Sequence, residues 1–269
     1  MFTLSMLISH TLTDFVIQTD SMVKAKSERR LRGFLLHGGA LLLTALPFLM
    51  LLAGSSFISA SWKVLIIIAS HLVIDYLKEG IHKHLERRAA PKISRLQLFL
   101  SDQILHIAVI LLVTSGSSME YNGLSLWLTD TFMRNSAITY ESAKRIFLVL
   151  YIAFSGAYFI PLMLDKVYEK VEGYTDILNM ILKVGEDKVA HGFIDEVKAG
   201  KWIGIMERIL MVIFLYSNQI SSIGFIIAVK SLARFKMMEN KIFAEYYLMG
   251  TLLSVVYTFI AYGALESIL

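Results

Sequence analysis

The sequence predicts an all-α fold, a bundle of about eight transmembrane helices within a range of six to eight. Hydrophobic residues make up 56% of the 269 residues, and the mean hydropathy of +0.61 is above that of ordinary soluble domains. Apolar runs long enough to cross a bilayer recur along the chain. Basic residues are concentrated in alternate connections between these runs, as in the cytoplasmic loops of membrane proteins.

Eight apolar segments are the predicted spanning helices. In chain order they are residues 1–18, 34–52, 57–77, 96–114, 146–164, 202–216, 220–233 and 242–265. A helix needs about 20 residues to cross about 30 Å of hydrocarbon. The sixth and seventh segments are shorter than this, so they are either tilted neighbours or a re-entrant pair.

The charges of the connections predict the orientation of the bundle. Basic residues of the first and third connections are Lys24, Lys26, Arg29, Arg30, Arg32, Lys78, Lys83, Arg87, Arg88, Lys92 and Arg95. The fifth connection is rich in lysine, whereas the second and fourth contain only Lys63 and Arg134. By the positive-inside rule, we expect the odd-numbered connections to face the cytoplasm and both termini to face outward.

The predicted chain has two sections, 1–115 and 116–269. The second section includes a segment, 165–201, in which apolar and charged residues alternate at helical spacing. This pattern predicts two amphipathic helices on the cytoplasmic membrane surface. The absence of cysteine excludes disulfides and thiolate chemistry, and the modest net charge of +4 argues against a nucleic-acid partner.

Seven ionisable side chains interrupt the first four apolar segments: His10, Asp14, His37, His71, Asp75, Asp102 and His106. Six of them form three histidine–aspartate pairs with four-residue spacing, which places both members of a pair on one helix face. The predicted orientation puts all seven in the same cytoplasm-facing layer. Ionisable groups inside membrane helices are rare and usually functional, although some only join helices by hydrogen bonds.

These seven residues are the predicted ligands of one or two divalent metal ions. Histidine nitrogens and carboxylate oxygens suit Zn²⁺, Mn²⁺ or Fe²⁺, and a pair of such ions can clamp a phosphoester. Some carboxylates could instead orient histidines, and Asp14 or Asp102 is the predicted catalytic base. Gln18, Lys78 and Gln103 are the predicted substrate contacts. A proton path and purely structural bonding are the other two interpretations of this layer.

Four motifs of the N-terminal section resemble those of an uncharacterised family of bacterial multi-pass membrane proteins, known as a domain of unknown function. The motifs are "HTLTDFVIQ" (His10 to Gln18), "HGG" (from His37), "HLVIDYLK" (His71 to Lys78) and "DQILH" (Asp102 to His106). The later stretches "GKWIGIMERIL", "AVKSLARF" and "AEYYLMGTLLS" look like the C-terminal section of longer family members. The family is more loosely similar to inner-membrane metal-dependent hydrolases, which also carry H-x3-D pairs on membrane helices. This resemblance implies hydrolysis as a plausible activity but names no substrate.

A second group of charges lies in the C-terminal section. Its members are Glu207, Arg208, Lys230, Arg234 and Glu245. The structural interpretation is ion pairing of Glu207 or Glu245 with Arg208 or Arg234. The functional interpretation is that Arg208, Lys230 and Arg234 contact a lipid phosphate or a partner. In "DKVAHGFID", Asp187, His191 and Asp195 also lie four apart, as on a solvated helix face.

The leading hypothesis is a metal-dependent membrane hydrolase that acts on a lipid or phosphoester at the cytoplasmic side. The first alternative is a proton- or ion-coupled transporter, although the outer halves of the second to fourth segments are nearly free of polar residues. The second alternative is a non-enzymatic scaffold or sensor with a structural metal. Membrane lipid is the expected partner, a homo-oligomer is possible, and no nucleic acid is expected.

Overall fold

The structure is a computed structural model that describes residues 1–86, 94–128, 136–168, 190–239 and 241–269. Within these ranges the regular elements are helices, apart from an isolated antiparallel bridge between Leu52 and Tyr121. The all-α prediction is therefore confirmed. The chain divides into two compact units, Met1–Phe147 and Leu148–Leu269. The domain boundary predicted after residue 115 stays a prediction.

The N-terminal unit is built around four helices that pack as a ring. Its helices are α1 (Phe2–Thr11, continued by a π-helical turn at Leu12–Ile17), α2 (Asp20–Ser27), α3 (Leu31–Leu49), α4 (Gly54–Glu86), α5 (Arg95–Thr114) and α6 (Gly123–Leu128). Helices α1 and α4 each contact both α3 and α5, which closes the ring. Helix α7 (Ser136–Tyr168) begins in this unit and contains the boundary between the units.

Two connections meet at one end of this ring. The Ala53 amide donates to the Glu120 carbonyl at 2.8 Å, and the Asn122 amide donates to the Leu51 carbonyl at 3.0 Å. The start of α4 therefore lies beside the chain that follows α5. Lys63, the basic residue of the predicted second connection, hydrogen-bonds Ser117 at this same end.

Helix α2 occupies the stretch predicted as the first loop, and it packs against α3 and α4. It begins at Thr19, whose hydroxyl accepts a hydrogen bond from the Met22 amide, an ordinary N-cap. A Cβ atom placed at Gly33 would lie 2.8 Å from backbone and side-chain atoms of Ala25, so glycine is what lets α2 and α3 approach this closely. The guanidinium of Arg29 lies 4.7 Å from the ring centre of Tyr76 and holds the C-terminal end of α2 against α4.

The C-terminal unit contains the rest of α7, α8 (Ala190–Tyr216), α9 (Ser221–Ala233), a 3₁₀ turn at Phe235–Glu239, and α10 (Lys241–Ile268). Leu148, Ile152 and Val212 are fully buried and form its core, against which Tyr257 and Leu265 of α10 pack. Apolar burial of this kind joins α7, α8 and α10.

Five helices are long and apolar enough to cross a membrane, judged by length and composition in the described residues. They are Leu31–Leu49, Gly54–Leu85, Arg95–Thr114, Tyr140–Tyr168 and Phe243–Ile268. Two shorter apolar helices, Phe2–Ile17 and Ser221–Ala233, accompany them. Apolar side chains also face outward, as in Leu112 and Leu232, which are 74% and 75% exposed. These features support a membrane protein, but the predicted count of eight spans is not confirmed.

Three predicted helix bounds are wrong. The third predicted helix, 57–77, is too short, because α4 continues to Glu86. The fifth predicted helix, 146–164, is too short at both ends, because α7 runs from Ser136 to Tyr168. The sixth, 202–216, belongs to α8, which begins at Ala190 and so is not short. The amphipathic segment 165–201 lies largely outside the described residues, including Asp187 and the side chains of His191 and Asp195.

Candidate functional site

Each helix of the N-terminal ring contributes one buried histidine to its centre. The four are His10 of α1, His37 of α3, His71 of α4 and His106 of α5, and none is more than 2% exposed. The ring centroids of His71 and His106 are 4.0 Å apart, and those of His37 and His71 are 4.9 Å apart. His10 lies 5.1 Å from His106 and 5.3 Å from His71 on the same measure. The four imidazoles thus form one contiguous layer.

Asp14 reaches this layer from the π-helical turn that follows α1. The turn is closed by the Gln18 amide, which donates to the Thr13 carbonyl at 3.1 Å. Asp14 Oδ1 lies 3.3 Å from both His37 Nε2 and His71 Nε2, and Oδ2 lies 3.7 Å from His10 Nδ1. A π turn inserts an extra residue and redirects the side chains around it, often at functional sites. Asp14 is therefore the carboxylate that contacts three of the four histidines.

Asp75 and Asp102 complete the layer from α4 and α5. Asp75 Oδ2 lies 3.4 Å from His37 Nε2 and 3.9 Å from His71 Nε2. Asp102 Oδ1 lies 3.5 Å from His106 Nδ1. The structure thus brings the seven predicted ligand residues together, while their roles as ligands stay predictions.

Lys26 is the residue of this site that sequence reasoning missed. It lies on α2, is 4% exposed, and donates from Nζ to Asp75 Oδ2 at 2.7 Å and to Gln18 Oε1 at 2.8 Å. The sequence analysis counts it only as one charge of a basic loop. A signal was present, since Met22, Ala25 and Lys26 share one face of a helix that Thr19 caps.

The three predicted substrate contacts already have partners within the site. Lys78 Nζ donates to Asp102 Oδ2 at 3.1 Å, and the Lys78 side chain keeps 31% exposure. Gln103 Nε2 donates to the same Asp102 oxygen at 3.3 Å, while Gln18 accepts from Lys26. Lys78 is therefore the cation of the layer that faces outward.

The layer contains buried polar atoms that make no hydrogen bond within the described structure. They are both ring nitrogens of His10, Asp14 Oδ1, His37 Nδ1, Asp102 Oδ1 and Gln103 Oε1. Most buried polar atoms in proteins are satisfied, and leaving one unsatisfied costs about 1–3 kcal/mol. Six such atoms in and beside one layer indicate that the layer can bind an additional group.

The donor set fits a divalent metal ion. Three overlapping groups offer ligand atoms within 4.8 Å of one another: His10–Asp14–His71, His37–His71–Asp75 and Asp14–Asp102–His106. Bonds of about 2.0–2.1 Å at tetrahedral angles separate neighbouring ligand atoms by about 3.3 Å. Asp14 Oδ1 lies at 3.3 Å from the Nε2 atoms of His37 and His71, which are 2.8 Å from each other. These three atoms approximate one face of such a tetrahedron.

The tautomer of His106 is set by its own helix. Its Nδ1 lies 2.9 Å from the Asp102 carbonyl oxygen, which can only accept, so Nδ1 carries the proton. Nε2 lies 3.5 Å from the His71 carbonyl oxygen, at the outer limit for a hydrogen bond, so in the neutral ring it keeps its lone pair. Metal-binding histidines commonly donate their other N–H to a carbonyl in this way.

The C-terminal charges make pairs that differ from the predicted ones. Glu207 accepts from Lys230 at 2.7 Å, and Glu245 lies 3.9 Å from Lys241. Arg234 lies 5.9 Å from the ring centroid of Tyr247, a ring that Lys230 also faces at 5.5 Å. Arg208 is buried apart from these pairs, and its Nε donates to the Ala153 carbonyl at 2.9 Å. The proposed role of these cations in binding a lipid phosphate or a partner stays a prediction.

Comparison with known proteins shows that the histidine–aspartate layer lies inside the region matched by a family model. The model of a family described as "Protein of unknown function (DUF3307)" matches residues 2–133, nearly the whole N-terminal half. That range includes the seven residues of the layer, as well as Lys26 and Lys78. No curated protein and no solved structure matches the chain.

Proposed function

The N-terminal half of the chain belongs to this family of unknown function, as its motifs indicate, and we propose that it is a divalent-metal-dependent hydrolase. The substrate would be a lipid or another phosphoester. The observation that carries the proposal is the buried layer of four histidines and three aspartates, in which five polar atoms make no hydrogen bond.

The proposal places the chain in a bacterial inner membrane with both termini outside, up to eight spans, and the layer near the cytoplasm. Basic residues support this orientation. Lys24, Arg29 and Arg30 lie in or beside α2, which packs over the end of the ring that carries Lys26 and the layer. The opposite end, where Lys63 lies, is poor in basic residues.

Charge balance favours one metal ion over two. With neutral histidines, Asp14, Asp75 and Asp102 exceed the charge of Lys26 and Lys78 by one negative unit. One divalent ion would leave the layer with a single positive charge, which suits an anionic phosphoester. Two ions would leave three buried positive charges, which is costly without further anions.

Asp14, His37 and His71 are the residues that would hold the ion, with His10 and Asp75 beside them. When bound, a divalent ion supplies a Lewis acid that polarises a phosphoryl oxygen and makes water more acidic. Lys78 would bind the phosphate, because it is the layer's outward-facing cation. Asp102 would accept the proton of the attacking water, since its Oδ1 makes no hydrogen bond.

Apolar residues on one side of the layer argue against a transport path through the bundle. A crevice beside His10, His71 and His106 is walled by Leu41, Ile67 and Ile110, which are at most 4% exposed. A proton or ion would need a polar chain through this region. The aliphatic wall instead favours a site that opens on one side only.

Metal analysis of the detergent-purified protein tests the metal centre. We expect about one zinc or manganese ion per chain in the wild type. The His71→Ala/Asp75→Ala variant should lose it, because both side chains offer ligand atoms. His84→Ala, an exposed histidine of the same helix, is the matched control and should keep the metal. A wild type as free of metal as the double variant would remove the basis of the proposal.

Hydrolysis is tested separately with bis-(p-nitrophenyl) phosphate and with phosphatidylglycerol vesicles, after reconstitution with Mn²⁺ or Zn²⁺. Asp102→Asn should lower turnover by about 10²–10⁴-fold, the usual contribution of a general base, while metal content is retained. A metal-loaded wild type that releases no more product than chelator-treated protein on either substrate would instead indicate a structural metal.

A further inference from the structure

Arg208 of α8 is a buried cation in the C-terminal unit without an acidic partner among the described residues. It is 3% exposed. Its Nε donates to the Ala153 carbonyl at 2.9 Å and its Nη1 to the Ser254 hydroxyl at 3.4 Å, whereas Nη2 makes no hydrogen bond. Among the residues that the structure describes, no carboxylate lies within 4 Å of it, because the neighbouring Glu207 is paired with Lys230.

An unpaired guanidinium is costly to bury. Removing the partner of a buried charge typically destabilises a protein by several kcal/mol. The Ala153 carbonyl and the Ser254 hydroxyl are neutral acceptors, so they do not neutralise the positive charge of the guanidinium. A negatively charged ligand is therefore the missing element of this environment.

Two glycines shape the space around this side chain. A Cβ atom at Gly156 of α7 would lie 2.7 Å from Arg208 Nε and 2.8 Å from its Cδ, so glycine lets the side chain lie against α7. A Cβ atom at Gly204 would lie 3.2 Å from Nη1 and 3.7 Å from Nη2, and its three nearest heavy atoms all belong to Arg208. Gly204 therefore places no side chain against the guanidinium, although Arg208 is itself only 3% exposed.

Exposure decreases along the face of α8 that leads to Arg208. Gly200, Gly204 and Arg208 follow one another at four-residue spacing on one face of α8, and they are exposed, partly exposed and buried in that order. Lys201 lies at the outer end of this face, with its Nζ 4.5 Å from the ring centroid of Tyr158 on α7. Seven residues of helix separate Lys201 from Arg208, which is about 10 Å.

We propose that this face of α8 binds a phosphate group, with Arg208 Nη1 and Nη2 as the inner contact and Lys201 at the entrance. The planar guanidinium fork matches phosphate oxygens, and lysine adds a mobile positive charge. Trp202, 57% exposed beside Lys201, is the kind of side chain that lies at a membrane interface. A phospholipid headgroup is therefore the favoured source, and free phosphate is the other. This site is in the C-terminal unit and does not depend on the proposed hydrolase.

The test uses the full-length protein with two probes. Native mass spectrometry counts the lipids retained after incubation with phosphatidylcholine vesicles with or without phosphatidic acid, and thermal unfolding measures stabilisation by inorganic phosphate. Arg208→Gln and Gly204→Ala should weaken binding by about tenfold to a hundredfold, the worth of a hydrogen bond to a charged group. Gly204→Ala keeps the arginine and blocks the space beside it, so it stays informative if Arg208→Gln does not fold. Gly263→Ala, where an added Cβ atom meets no atom within 4 Å, is the matched control and should bind as the wild type does.

The outcomes separate the two phosphate sources. Retention of phosphatidic acid by the wild type and the control, with loss in both variants, would identify a lipid headgroup. Stabilisation by inorganic phosphate alone, with the same variant pattern, would identify a soluble phosphate. The proposal is overturned if neither probe binds the wild type, or if Gly204→Ala binds either one as tightly as the wild type does. Metal content should be unchanged throughout, so failure here leaves the hydrolase proposal untouched.

Discussion

Replacing Lys26 by methionine removes the buried ammonium that neutralises Asp75. Lys26 Nζ lies 2.7 Å from Asp75 Oδ2, and the two side chains are 5% and 3% exposed. Methionine keeps most of the apolar stem of the lysine, so the main change is the loss of charge. With neutral histidines, the substitution raises the uncompensated negative charge of the layer from one unit to two.

Breaking a buried ion pair by removing one partner costs about 3–5 kcal/mol, because the other charge stays buried without compensation. We expect Lys26→Met to lower the free energy of unfolding by that amount in the presence of a chelator. Asp75→Asn should offset much of the loss, with a coupling energy near the upper end of the usual range, about 3 kcal/mol. A divalent ion should also reduce the loss, since its charge replaces that of the ammonium.

The measurement is reversible unfolding by SDS in mixed micelles, followed by circular dichroism with and without metal. Lys24→Met is the matched control, because Lys24 is exposed on the same helix and should change stability by less than about 0.5 kcal/mol. A loss below about 1 kcal/mol for Lys26→Met, the worth of an exposed ion pair, together with negligible coupling to Asp75, would refute this reasoning.

Two further predictions concern packing, and both are measured by the same unfolding assay. Gly33→Ala should destabilise the protein by about 1–3 kcal/mol, because its Cβ atom would lie 2.8 Å from Ala25 backbone atoms, whereas Gly39→Ala meets no atom and should be neutral or stabilising. Equal effects at the two glycines would mean that α2 does not pack tightly on α3. Ile152→Ala should cost about 2–5 kcal/mol because Ile152 is fully buried, whereas Leu232→Ala, at a 75% exposed position, should cost far less. Similar losses at these two positions would contradict the described core.

Local spacing was sufficient to predict how the paired residues of the layer lie. Within the three pairs, the distance from an imidazole nitrogen to a carboxylate oxygen is 3.7 Å for His10 and Asp14, 3.9 Å for His71 and Asp75, and 3.5 Å for Asp102 and His106. For the second and third pairs, four-residue spacing fixes these distances because both members lie on one α-helix, whereas Asp14 reaches His10 from the π turn. Because successive helices cross the membrane in opposite directions, all three pairs were predicted to lie at the same depth in the bundle. Hydropathy likewise predicted an all-α chain.

Other features depend on contacts between distant segments, so spacing could not reveal them. Lys26 and Asp75 are 49 residues apart, and their pairing requires α2 to fold back over the ring. The π turn at Asp14 is a backbone rearrangement that leaves no mark in hydropathy. The charged residues of the C-terminal section fit several ion pairings equally well in the sequence. The structure pairs Glu207 with Lys230, and this leaves Arg208 without Glu207 as a partner.

The two lysines of the layer differ in exposure, and this difference determines the side from which a ligand would approach. Helix α2, which carries Lys26, is fixed by its close contact with Gly33 of α3 and by Arg29, which lies against Tyr76 of α4. A ligand can therefore reach Lys26 only if α2 moves. Lys78 is the less buried of the two, with 31% of its side chain exposed, and it already holds Asp102. A phosphate arriving on the Lys78 side would meet a cation first and would draw the ammonium from Asp102 as it binds. Among the described residues, that exchange would leave the Gln103 amide as the donor to Asp102 Oδ2 and would remove the cation that neutralises the carboxylate. Asp102 would then be a stronger base at the moment when a base is needed, so binding and activation would be coupled through one ion pair.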